Sequence, residues 1–178
     1  MRIASIVGVA YLLCVAIASI WRLLPWIGDG IPDLGALTAA YLGLTARRQV
    51  SPAIGGAIVL GYLIDLISGA PPGLLALVLA LTTLVARAVQ QRILVRGATI
   101  SIAFSGFVAL VAGVLALLVR VLYRMPSAAF SVELKHVAFV TLATAVFGPL
   151  VWWVFRRIDA AFARTHRERD AALEGLAP

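Results

Sequence analysis

From Ile3 to Leu24 the chain is apolar, interrupted only by Ser5, Ser19 and Arg22. About twenty apolar residues at a rise of 1.5 Å each cross a hydrocarbon core of roughly 30 Å, so this pattern predicts a spanning helix over 3–24. Trp21 and Trp26 stand at its far end as interfacial anchors. Ala16-Ile17-Ala18-Ser19 resembles a cleavage site, but the positive region before it is a single arginine and the apolar run continues past it. This predicts an uncleaved anchor. Trp26 to Asp33 (WIGDGIPD) reads as a loop from its Gly, Asp and Pro content, and Pro32 suits the first turn of a second helix, 33–46, stopped by Arg47-Arg48. That helix is short for a span. It calls for little tilt, local thinning of the bilayer, or shelter by its neighbours.

Ser51-Pro52 opens a third span, 51–67, and a Ser-Gly-Ala-Pro-Pro-Gly break separates it from a fourth, 73–89, which ends at Gln90-Gln91-Arg92. A fifth span covers 98–119 and is closed by Arg120 and Arg124, and Met125 to Lys135 reads as a loop. The sixth, 137–155, ends in Trp152, Trp153 and Phe155 immediately before Arg156-Arg157. Gly148-Pro149 lies inside it and predicts a kink, because proline removes one helical hydrogen bond and crowds the preceding turn. The expected organisation is a six-span membrane domain over 1–155 and a charged tail over 156–178. The tail can continue as a helix for a few turns, without a continuous apolar face.

Composition agrees with this pattern. With 62% hydrophobic and 13% charged residues, the chain lacks the polar surface that a soluble domain of this size requires. The fold class expected is therefore an all-α integral membrane protein with both termini cytoplasmic. In that orientation eleven of the fifteen bases fall inside: Arg2, Arg47, Arg48, Arg87, Arg92, Arg96, Arg156, Arg157, Arg164, Arg167 and Arg169. Arg22, Arg120, Arg124 and Lys135 fall outside, where Asp29, Asp33, Asp65 and Glu133 balance them, so the net +7 belongs to the inner side. The basic excess thus records membrane orientation and attraction to anionic lipid heads; no aromatic-interleaved basic stripe points to nucleic acid. The single cysteine, Cys14, allows neither an internal disulfide nor a thiol metal cluster.

Ionisable groups within spans are rare and mark function or structure. Asp65 lies about 20 Å along a helix beginning at Ser51, toward the outer third of the membrane. It shares a face with Ala57, Gly61 and Gly69, and small residues there let another helix come close and bury the carboxylate. A structural role is favoured over a proton relay: Asp65 caps a neighbouring helix or pairs with an outer arginine, Arg22, Arg120 or Arg124. Asp33 suits the N-cap of the second helix, and also a polar cluster shared with Asp65 at the outer surface. On the fifth span Ser101, Ser105, Ala109 and Gly113 recur every four residues as a packing face, with intramolecular packing the default. His136 and His166 have no metal-ligand companion, Ser68 has no histidine at a suggestive spacing, and Gly69 and Gly73 flank two prolines as turn residues. No catalytic residue, metal site or cofactor site emerges.

In sequence order these features resemble the rod shape-determining protein MreD family. Pro32-Asp33 opening a short second span is similar to that family's Pro-Asp start. Gly61-Tyr-Leu-Ile-Asp65-Leu-Ile-Ser-Gly69 followed by Pro72-Gly73-Leu74 is similar to its central motif, and Pro149 before an aromatic and basic end resembles its final span. Leu75 departs from a histidine found in many relatives, and the polar residue often found before the last proline is missing. The resemblance implies a non-enzymatic component of the bacterial inner membrane, a multi-pass protein of the cell-elongation machinery. It would work beside an MreC-like protein and, indirectly, MreB, RodA and a penicillin-binding transpeptidase. It also implies a fold related to the substrate-binding subunits of energy-coupling factor transporters. A membrane subunit binding a small molecule for an energy-coupling-type vitamin transporter is therefore the alternative function. For the scaffold, Pro32, Asp33, Gly61, Asp65, Gly69 and Gly73 are the candidate partner-binding or structural residues.

Overall fold

The structure is a computed structural model that describes residues 2–23, 30–46, 50–69, 71–92, 97–124 and 129–174, with side chains described for 2–20, 30–46, 50–69, 71–92, 97, 99–124 and 129–162. The described residues form six helices: α1 (Arg2–Leu23), α2 (Leu34–Thr45), α3 (Ser51–Ser68), α4 (Leu74–Gln90), α5 (Ala98–Leu122) and α6 (Phe130–Glu174). No strand occurs among them. Four stretches are long and apolar enough to cross a membrane: Arg2–Ile20, Ser51–Ser68, Thr99–Leu122 and Phe130–Phe162. Their outward faces carry exposed Leu12, Leu66, Leu118, Leu142 and Val146. An apolar exterior around a packed core suits a protein whose surroundings are lipid.

The two short helices sit differently. α2 has 12 residues, about 18 Å of helix, yet everything from Leu34 to Gly43 is buried. It packs against each of the other five helices. Of the three ways to accommodate a short apolar helix, shelter by neighbours is the one observed. Gly43 makes this possible on one side, since a Cβ there would lie 2.5 Å from the Thr83 carbonyl oxygen of α4. The last α2 turn is closed by the Arg87 guanidinium, which donates to the Ala46 carbonyl.

Contacts fix the helix directions. Asp33 meets Thr144, Leu37 meets Trp152, and Tyr41 meets Phe155, so α2 and α6 run parallel. Ser105 opposes Gly148, Gly113 opposes Val137, and Arg120 opposes Glu133, so α5 and α6 run antiparallel. α3 and α4 are antiparallel through Gly61 and Ala76, while α2 and α4 are parallel, with Gly35 beside Leu79 and Gly43 beside Ala86. Ile3 and Val7 of α1 meet Gly56 near the start of α3, whereas Cys14 and Ala18 lie with Ile64 and Ser68 near its end. Successive helices therefore alternate in direction.

The Ser101–Ser105–Ala109–Gly113 stripe is buried within the chain itself: the first three side chains are buried, and Gly113 and Ser105 abut Val137 and Gly148 of α6. One expectation needs correction. The predicted loop 125–135 is helical from Phe130, where the Ala129 carbonyl accepts from the amides of Val132 and Glu133 at 2.8 and 3.2 Å. Glu133 in this first turn complements the helix dipole and meets Arg120, so part of a segment that reads as a polar connector is a helix start. α6 then runs unbroken through Pro149 and past Arg156-Arg157. The remaining loop residues 125–128, residues 24–29 with Trp26, Arg47-Arg48, and the side chains of Trp21, Arg22 and His166 lie outside what is described.

Candidate functional site

The α3–α4 corner is built by its glycines. Gly69 (φ +67°) ends α3 and Gly73 (φ +98°) is the N-cap of α4, both in the left-handed region that glycine adopts at least cost. A glycine cap has no side chain, so the first amides of α4 lack the usual Ser, Thr, Asn or Asp acceptor. Asp65 supplies it from the preceding helix. Its Oδ2 accepts from the Gly73 N–H at 2.9 Å, and both carboxylate oxygens lie 3.1 Å from the Leu75 nitrogen. The α4 N-terminus also carries positive partial charge, which favours an anion at this point. Asp65 is only 1% exposed.

Gly61, one turn earlier, is what lets α4 come near enough. A Cβ on Gly61 would fall 2.5 Å from the nitrogen and Cα of Ala76. Gly61 and Asp65 are thus one device: close backbone approach, then a carboxylate laid across the exposed amides. Of the two structural roles expected for Asp65, the helix cap is the one found among the described side chains. Arg120 is engaged elsewhere, 3.4 Å from Glu133, and Arg124 is exposed at φ +50°; the Arg22 side chain is not among those described.

Asp33 caps α2, accepting through Oδ1 from the Ala36 N–H at 2.8 Å. Its own N–H donates to Thr144 Oγ1 at 2.8 Å, which ties the α2 start to α6. Pro32, buried just before it, presents its carbonyl to the Leu34 amide. Each carboxylate therefore serves a different helix N-terminus, and among the described residues no hydrogen bond joins them. What adjoins Asp33 is a cavity of about 210 Å³, with Arg120, Glu133 and His136 also in its wall. Leu75, whose amide Asp65 holds, lines the same cavity, so the two sites are neighbours.

At the opposite end of the bundle is a cluster the sequence reasoning missed. Arg2 donates from Nε and Nη2 to Asp159 at 2.6 and 2.7 Å, and Tyr41 Oη donates to Asp159 Oδ2 at 2.6 Å. Three helices meet there, α1, α2 and α6. Asp159 follows Arg156-Arg157 and looks like one acid in a mixed tail. The signal that was present is that Arg2 is the charge opening the first span and Asp159 the first acid after the sixth, and an even number of crossings brings them to one side.

The chain matches no protein-family model, no curated protein and no solved structure. Among the described residues, no group of three or more His, Cys, Asp or Glu side chains is placed to hold a metal ion.

Proposed function

We propose that the chain is a non-enzymatic, multi-pass scaffold of the bacterial inner membrane, of the MreD type, acting with an MreC-like protein in cell elongation and peptidoglycan synthesis. The observation that carries this reading is the use of Asp65. Its carboxylate holds the start of α4, and the motif on which the resemblance rests forms a fixed corner between α3 and α4. That corner presents an exposed Pro71-Pro72 turn at one end of the bundle, a shaped surface for a partner. The alternation of helix directions supports six crossings with both ends of the membrane domain in the cytoplasm. The Arg2–Asp159 pair, Arg87 and Arg156-Arg157 gather at the end that the charge distribution assigns inside.

The test is co-purification with an MreC-like protein, together with rescue of rod shape in cells depleted of the native scaffold. Asp65→Ala and Asp33→Ala are compared with the parent at matched membrane insertion. Loss of association or of rod shape in inserted variants is the expected result. Unchanged co-purification and normal rods for both would overturn the reading.

A further inference from the structure

The cavity beside Asp33 adjoins the α3–α4 corner through Leu75, and the scaffold reading assigns it no ligand. Three helix faces and the α2 cap line it. α5 contributes Ala109, Ala112, Gly113, Ala116, Leu117 and Arg120, one continuous face at i, i+3, i+4, i+7, i+8 and i+11. α6 contributes Glu133, His136, Val137 and Val140, and α4 contributes Leu75, Val78 and Leu79. Small residues on α5 account for the space: Ala109, Ala112 and Ala116 stand where larger side chains would fill it, and Gly113 lets Val137 of α6 come close. The body of the cavity is apolar; Arg120, Glu133 and His136 lie near the α6 start, and Asp33 lies farther along, beside Thr144.

Those four groups are unequal. Arg120 and Glu133 neutralise each other at 3.4 Å. Asp33 has no basic side chain within ion-pairing distance among the described residues; backbone amides at the α2 start are what it holds. Asp33 is thus the carboxylate of the wall without an ion-pair partner among the described residues, beside an apolar interior, while His136 stands exposed at the surface. An apolar cavity of roughly 150 Å³ accommodates a benzene ring, so about 210 Å³ leaves room for a ring or short chain and a small head group.

From this we infer that the cavity is a binding site for a compact organic cation, an ammonium group on a small apolar body, with the ammonium at Asp33 and the body between α4, α5 and α6. The ammonium can belong to a free amine or to a lipid head group; the chemistry at Asp33 is the same.

The test uses the full chain in nanodiscs of phosphatidylcholine and phosphatidylglycerol, which carry no primary amine. Two probes share one apolar body and differ in charge, 2-phenylethylammonium and 3-phenylpropionate, and binding is read by calorimetry and thermal shift. The ammonium is expected to bind at least about tenfold more tightly than the carboxylate. Asp33→Asn, which keeps the cap acceptor, is expected to abolish that preference. Ala112→Phe, which fills the cavity away from the cap, is expected to block binding while the protein stays folded by tryptophan fluorescence. Repeating the titration with phosphatidylethanolamine present separates the sources: competition identifies the lipid head group, and its absence a free amine. Equal binding of both probes, or an ammonium preference unchanged in Asp33→Asn, would overturn the inference.

Discussion

Replacing Asp65 with alanine removes the acceptor for two amides at the start of α4, those of Gly73 and Leu75. A buried N–H left without a partner costs about 1–3 kcal/mol, and loss of an anion at a helix N-terminus adds about 0.5–1 kcal/mol. Gly73 is half-buried, and a solvated amide falls at the low end, so the expected destabilisation is about 3–4 kcal/mol. Asp65→Asn keeps one carbonyl oxygen for one of the amides and should cost about half as much. Gly61→Ala pushes on the same contact, because its Cβ would sit 2.5 Å from Ala76. The double variant Gly61→Ala/Asp65→Ala should therefore fall short of additivity by about 1 kcal/mol or more. Reversible unfolding of the purified protein in mixed micelles, followed by tryptophan fluorescence, measures all four proteins. The reasoning fails if Asp65→Ala stays within about 0.5 kcal/mol of the parent, or if Asn is no better than Ala.

Gly148→Ala should destabilise the α5–α6 pair by about 2 kcal/mol, since the added methyl runs into Ser105; Ser105→Gly in the same chain should restore most of the loss, as read by thermal unfolding. Asp159→Asn should cost no more than about 1 kcal/mol, and the difference should shrink in high salt, because the Arg2 side chain of the pair is 43% exposed. A salt-independent loss well above that would show a desolvated pair instead. Single cysteines introduced at Pro72 and Tyr123, in a chain with Cys14→Ser, should react with a membrane-impermeant maleimide in intact spheroplasts, whereas cysteines at Ser51 and Gln91 should react only after permeabilisation. Labelling of all four from one side would refute the six-crossing arrangement.

How much of the site was legible in the sequence differs from residue to residue. Asp65 announces a structural role through its small-residue face, because helix spacing and side-chain size are local properties that a linear pattern records. Choosing among its partners was another matter. An outer arginine and a helix terminus are both adequate for a carboxylate, and which one arrives depends on how near Gly61 lets α4 come. Asp33 is readable as a cap because its acceptor geometry lies within three residues. The cavity beside it is not readable, since it arises where faces of α4, α5 and α6 converge from separate parts of the chain.

The sequence by itself determined the helical class, the positions of the apolar segments, the glycine-built corner and the segregation of basic residues, all of which follow from residue type and short-range periodicity. Tertiary structure decided that the short second helix lies at the buried centre, sheltered by the other five, because burial of a helix depends on what surrounds it. It also decided that Asp159 clamps Arg2 and Tyr41 across more than a hundred residues. Such pairings depend on the order in which the helices pack, and no local pattern encodes that order.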